Sequence, residues 1–323
     1  MNLIIQFNKF YLLLDSFSNK IIKIPYWKYY YTFNVTLFCI VTTVPSLKNI
    51  GKNHIDTITY QINNPFKQIP EKYTAQNEKE FDGSKSHLDK LAFRFMAPLI
   101  GNIFRLNYHQ LVYLQMFLFS FFYFFLLRFF ENNNFSKTLL ILSPLIFATT
   151  FIGKWGIIDV WYFDGFAYLF ILIAICRYSI PITFITALAA CFFDERVIIS
   201  LLIVLFFYNR FEDSKNKYYL NKYSLTILFV LFSYFIIRLF LKWNFGLLTN
   251  QSAIGSVAFN YNIQFIPIST FAFIECAIFL LFIALFFLKN KSNFDLIIFI
   301  ILSSIVVLVS NLVFDVSRSL GFG

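Results

Sequence analysis

The sequence predicts an all-α fold, a polytopic transmembrane helical bundle of about nine spans with an amphipathic interfacial helix in its first external loop. Three observations predict it. The 323 residues are 59% hydrophobic and only 14% charged, with a mean hydropathy of +0.67, more apolar surface than one soluble core of this length buries. Apolar runs near spanning length recur along the chain, separated by short polar connections. Basic residues crowd alternate connections, as the orientation rule for membrane helices requires. The abundance of Phe (47) and Tyr (19) beside few Gly (10) reflects an AT-rich coding bias, so aromatic stripes are not read as cofactor sites.

Taken in order, the first thirty residues are interrupted by Asp15 and Lys20 and lack a small-residue cleavage site, so no cleavable signal is expected. The first span falls at 31–48. An external loop, 49–106, follows, and its last part, 91–106, sets Arg94, Pro98, Gly101 and Arg105 at helical spacing on one side. Phe93, Met96, Ile100, Ile103 and Phe104 lie mainly on the other, the pattern of a helix in the membrane interface. Further spans are expected at 108–129, 138–153, 165–176, 179–193, 197–208, 224–241, 269–288 and 294–314. Arg177, Pro181 and Asp194-Glu195-Arg196 divide the middle region into short segments. No internal repeat or soluble linker appears, so 1–323 reads as one membrane domain, and the proximity of Gly323 to the last span suggests a truncated C-terminus.

With the N-terminus cytoplasmic, the inner connections hold Arg128, Lys137, Arg177, Arg210, Lys215, Lys217, Lys222, Lys289 and Lys291. Outside lie Lys154, Arg196, Arg238, Lys242 and Arg318. The lysines of the loop 49–90 oppose this assignment. The formal charge of +10 is scattered in short clusters and is better explained by topology than by nucleic-acid binding. All four cysteines (Cys39, Cys176, Cys191, Cys276) sit in apolar stretches without a CxxC pair, and His54, His87 and His109 have no spaced partners, so neither disulfide nor metal site is expected.

On this topology, polar residues gather outside: Asp56 after the first span, Asp159 and Asp164 after the third, Asp194-Glu195-Arg196 after the fifth, Asp315 and Arg318 after the ninth. Any one of them fits a solvated loop. Acids and arginines at span ends in several connections together suggest a shared site, because charges at that depth are costly unless they pair or act. Glu275 lies inside a span and is a pairing or functional candidate. Asp295 needs only a helix N-terminus to explain it.

Three segments carry a family resemblance. Asp56-Thr57-Ile58-Thr59-Tyr60 resembles the Asp-x-x-x-Tyr segment after the first span of GT-C type polytopic glycosyltransferases. Phe93-Arg94-Phe95-Met96-Ala97-Pro98-Leu99 is similar to the Tyr-Arg-x-x-x-Pro-Leu stretch that closes their first loop, and Asp194-Glu195-Arg196 resembles the acidic or His-Glu-Arg tripeptide opening a middle span. Two departures are visible: Asp56 has no acidic neighbour, and Ala97 stands where a bulkier residue is common.

The resemblance implies transfer of a sugar from a polyprenyl-phosphate donor to a glycan or lipid acceptor at the outer face of a bacterial inner membrane. Asp56 would be the general base. Arg94, Arg196 or Arg318 would hold the donor phosphate. Asp159, Asp164, Asp194, Glu195 and Asp315 complete the substrate-binding set, with the acids orienting sugar hydroxyls or, as second choice, a divalent cation. No other cofactor is expected. The competing readings are a transporter or flippase of a lipid-linked saccharide, a polysaccharide polymerase and a non-catalytic membrane component of an assembly complex. The absence of paired repeats counts against the transporter, and the absence of a long arginine-rich late loop against the polymerase.

Overall fold

The structure is a computed structural model that describes residues 2–43, 52–70, 93–149, 163–211 and 221–247, with Gly153, Gly156, Ile157, Ile297 and Ile301 besides. Among the described residues the regular structure is helical and no strand occurs. The helices are α1 (Asn2–Ile22), α2 (Trp27–Thr43), α3 (Lys52–Asn63), α4 (Met96–Ile103), α5 (Tyr108–Asn132), α6 (Lys137–Thr149), α7 (Asp164–Ile175), α8 (Ile180–Phe193), α9 (Val197–Phe211) and α10 (Lys222–Phe245).

Local chemistry explains the boundaries. Asn107 and Gln110 form a reciprocal capping box at the start of α5. Ser179 caps α8 just ahead of Pro181, and Asn221 caps α10, which Gly246 ends at φ 64°. Tertiary neighbours follow the hairpins: α7 packs against α8 and α5, α8 against α10, and α2 against α5.

Among the described residues, two helices, α5 and α10, are long and apolar enough to cross a membrane, with only 44% and 33% of their most apolar windows buried. The outward remainder is apolar. On α10, Leu225, Phe229, Phe232, Phe235, Leu239, Phe240 and Trp243 are exposed, while Ser224, Thr226 and Tyr234 turn inward. Water drives the opposite distribution.

The middle helices are short. At about 1.5 Å per residue, the twelve residues of α7 extend about 18 Å, against roughly 30 Å of hydrocarbon. Burial of nine of them, Asp164 included, makes α7 an interior element.

The structure amends the sequence reading in two places. Residues 2–22 form a helix where no span was expected, docked on α6 as Thr138 donates to Asp15 (3.0 Å) and Lys137 to Asn19 (3.0 Å). Among the described residues of the stretch 91–106, the α-helix is Met96–Ile103, so Arg94 and Arg105 flank the helix instead of lying on it. The small side, Ala97, Pro98 and Gly101, faces the protein, where a Cβ on Gly101 would stand 3.0 Å from Ile62. Ile103 and Phe104 project outward. The segments 269–288 and 294–314 lie outside the described residues, apart from Ile297 and Ile301.

Candidate functional site: a buried ion-pair cluster

Asp164 opens α7, and Asp194, Glu195 and Arg196 link α8 to α9. Because α7 and α8 form an antiparallel hairpin, both groups reach the same end of the helices. The turn into α7 needs Phe163 at φ 59°, in the left-handed region, with its ring buried against Tyr108 and Phe166. Such a conformation costs a bulky residue about 1–2 kcal/mol. It places Asp164, fully buried, at a helix N-terminus, where a carboxylate is stabilised.

Asp194 is the hub. It ends α8 in an extended conformation. Its Oδ1 accepts from the Arg196 backbone N–H (2.8 Å) and Nε (2.9 Å), closing the turn that starts α9. Its Oδ2 accepts from Arg196 Nη2 and pairs with Arg94 Nη1 at 3.0 Å. Arg196 Nη2 also donates to Asp164 Oδ2 at 2.9 Å. Burial alone would raise the Asp194 carboxyl, but the Arg196 and Arg94 guanidiniums outweigh it and hold the group well below the usual carboxylate range.

A second, more open pair adjoins the first. Glu195 accepts from Arg238 Nη1 at 3.1 Å, and Arg94 Nη2 lies 3.9 Å from its other oxygen. Arg238 also donates to the Tyr234 hydroxyl (2.8 Å), and its guanidinium lies 4.2 Å from the Phe93 ring centre. Exposure divides the site: side chains of Asp194, Asp164, Arg94 and Arg196 are 0–9% exposed, those of Glu195 and Arg238 21% and 27%. A dissolved molecule therefore reaches Glu195 and Arg238 first. From Tyr234, tilted ring contacts run through Phe192 and Phe95 to Phe66, with centres about 5 Å apart.

Of the site residues expected from sequence, Arg94, Asp164, Asp194, Glu195 and Arg196 come together. Asp56 does not join them: it is exposed on α3, where the neighbouring Thr57 and Ile58 are buried. Asp159, Asp315 and Arg318 lie outside the described residues, as does Glu275. Arg238, Tyr234 and Phe93 were missed as site members. The available signal was an arginine close to the end of the apolar run 224–241. Among the described residues, no group of three or more His, Cys, Asp or Glu could hold a metal ion.

No family model, curated protein or solved structure matches this chain. The functional reading therefore rests on the geometry and on the sequence.

Proposed function

We propose that this chain is a multi-span integral membrane protein of a bacterial inner membrane. It acts at the outer face as a GT-C-like glycosyltransferase on a polyprenyl-phosphate-linked sugar. The observation that carries the reading is the convergence of Arg94, Asp164, Asp194–Arg196 and Arg238, from four separate segments, on one end of helices whose flanks are apolar. A lipid-borne donor brings its phosphate to that depth, and arginines are suited to its oxygens. In this reading Glu195 and Arg238 meet the sugar phosphate. Arg94, Asp164, Asp194 and Arg196 hold them in place, and Ile103 and Phe104 of α4 rest in the interface. Asp56, on the exposed side of α3, is positioned by nothing described and retains the general-base role only through its sequence resemblance.

The test is sugar transfer in membranes loaded with a panel of radiolabelled polyprenyl-phosphate sugars, comparing the natural chain with Asp56→Ala and Arg238→Ala at equal protein levels. Transfer by the natural chain, lost in either variant, is expected. Transfer that neither variant reduces removes both residues from the reaction, and none from any donor overturns the reading.

One observation favours a second reading, a non-catalytic membrane component of an assembly complex. Within the described cluster, three arginines face three carboxylates, so the network is electrically balanced without a ligand. In that case Arg238→Ala leaves transfer untouched and changes which membrane proteins co-purify.

A further inference from the structure

The opposite end of the helices has a different electrostatic character. There the C-terminal ends of α5 and α7 and the first turn of α10 surround a cavity of about 220 Å³, lined by Phe129, Asn132, Asn133, Cys176, Arg177 and Tyr223, with Ile175 behind them. Arg177 stands 5.8 Å and Lys222 5.3 Å from the Tyr223 ring centre, and the Tyr223 hydroxyl donates to the Arg177 carbonyl at 3.1 Å. Arg128, one turn back along α5, lies 5.3 Å from the Phe124 ring centre and is close enough to act electrostatically on Cys176. Arg177 thus lines the cavity, with Lys222 and Arg128 beside residues of its wall. The described acid nearest along the chain to Arg128, Glu131, is paired with Lys28.

We propose that this cavity binds the phosphate headgroup of an anionic phospholipid, held by Arg128, Arg177 and Lys222. The helix ends do not cancel that field. Each terminus is equivalent to about half a charge, so the C-termini of α5 and α7 and the N-terminus of α10 together amount to only roughly −0.5. Some of the carbonyls are also capped: the Asn133 side chain donates to Phe129 O (2.8 Å), and the Arg177 N–H to Ala174 O (3.2 Å). A lipid suits the site better than a free anion because apolar surface continues from it. Exposed apolar side chains follow Arg177, among them Tyr178 and, one turn apart on α8, Ile182 and Ile185, a surface that an acyl chain can cover. The inference rests on the chain lying in a membrane and is independent of glycosyl transfer. In the proposed orientation the cavity faces the cytoplasmic leaflet, where basic juxtamembrane groups meet anionic lipid.

The test uses the full chain purified in a neutral detergent, after membrane fractionation has established that it is membrane-embedded. Native mass spectrometry would read binding of phosphatidylglycerol, phosphatidylcholine and inorganic phosphate at equal concentrations. Phosphatidylglycerol is expected to bind in preference to both, and Lys222→Gln, a change at an exposed residue that folding tolerates, to weaken it about fivefold. Arg128→Gln combined with Arg177→Gln is expected to abolish the preference. Equal retention of phosphatidylcholine overturns the proposal, as does an undiminished preference in Lys222→Gln. Binding of inorganic phosphate as tight as that of the lipid replaces the lipid headgroup with a soluble anion.

Discussion

At the residue scale, Asp194 is the residue on which most depends. It is fully buried and contacts two arginines, and breaking a buried pair by removing one partner costs about 3–5 kcal/mol because the other charges remain uncompensated. Asp194→Ala is therefore expected to lower the Tm of the detergent-solubilised protein more than Arg238→Ala, which removes a partly exposed pair worth no more than about 1 kcal/mol. Equal losses would mean that the inner set carries no special weight. The pH dependence follows from the depressed carboxyl. A group whose folded pKa lies below its unfolded value of about 3.9 contributes its full stabilisation above that value and loses it as the pH falls further. Tm should hold through neutral pH and decline below about pH 4, and Asp194→Asn should flatten that decline.

At the element scale, two contacts test how the helices are held. A Cβ on Gly165, at the second position of α7, would collide with the Gly156 carbonyl oxygen and stand 3.0 Å from Gln115. Backbone cannot yield as a side chain can, so Gly165→Ala is expected to cost about 1–3 kcal/mol or more and to displace Asp164 beside it. A thermal melt unchanged by this substitution would contradict the packing of α7. At the other end, α1 is tied to α6 through Asp15 and Thr138. Thr138→Val removes a half-buried hydrogen bond worth about 1 kcal/mol, and limited proteolysis should then release α1 before the remaining helices unfold. Simultaneous loss of all helices would place α1 in the common core.

At the scale of the whole molecule, the two ends differ. Among the described residues, one carries balanced ion pairs and the other a surplus of cations at and beside a cavity. Membrane orientation should follow the surplus, and single-cysteine labelling with an impermeant thiol reagent on intact cells reads it directly. Lys67→Cys and Asn132→Cys, both at exposed positions at opposite ends, should label and remain unlabelled respectively. The reverse result would invert the orientation and remove the outer-face site. Gly156→Cys suits this purpose poorly, because its Cβ would collide with the Phe119 ring.

The helical class and the charged break Asp194-Glu195-Arg196 between two apolar segments were legible in the sequence. Apolar periodicity, capping residues and charges interrupting apolar runs are local signals, readable one segment at a time. The tertiary structure alone decided which charges pair. Arg238 lies 43 residues from Glu195, a separation across which no spacing rule operates, and only the packing of α10 on α8 closes it. The same holds for α1, whose Asp15 looked like an interruption until the start of α6 supplied Thr138. It holds too for Arg94, which lies just ahead of the helix that starts at Met96, a boundary that periodicity cannot place. Composition and pattern determine what a segment prefers. Which polar groups share a buried site depends on desolvation, and that is set only when helices distant in sequence exclude water from the same space.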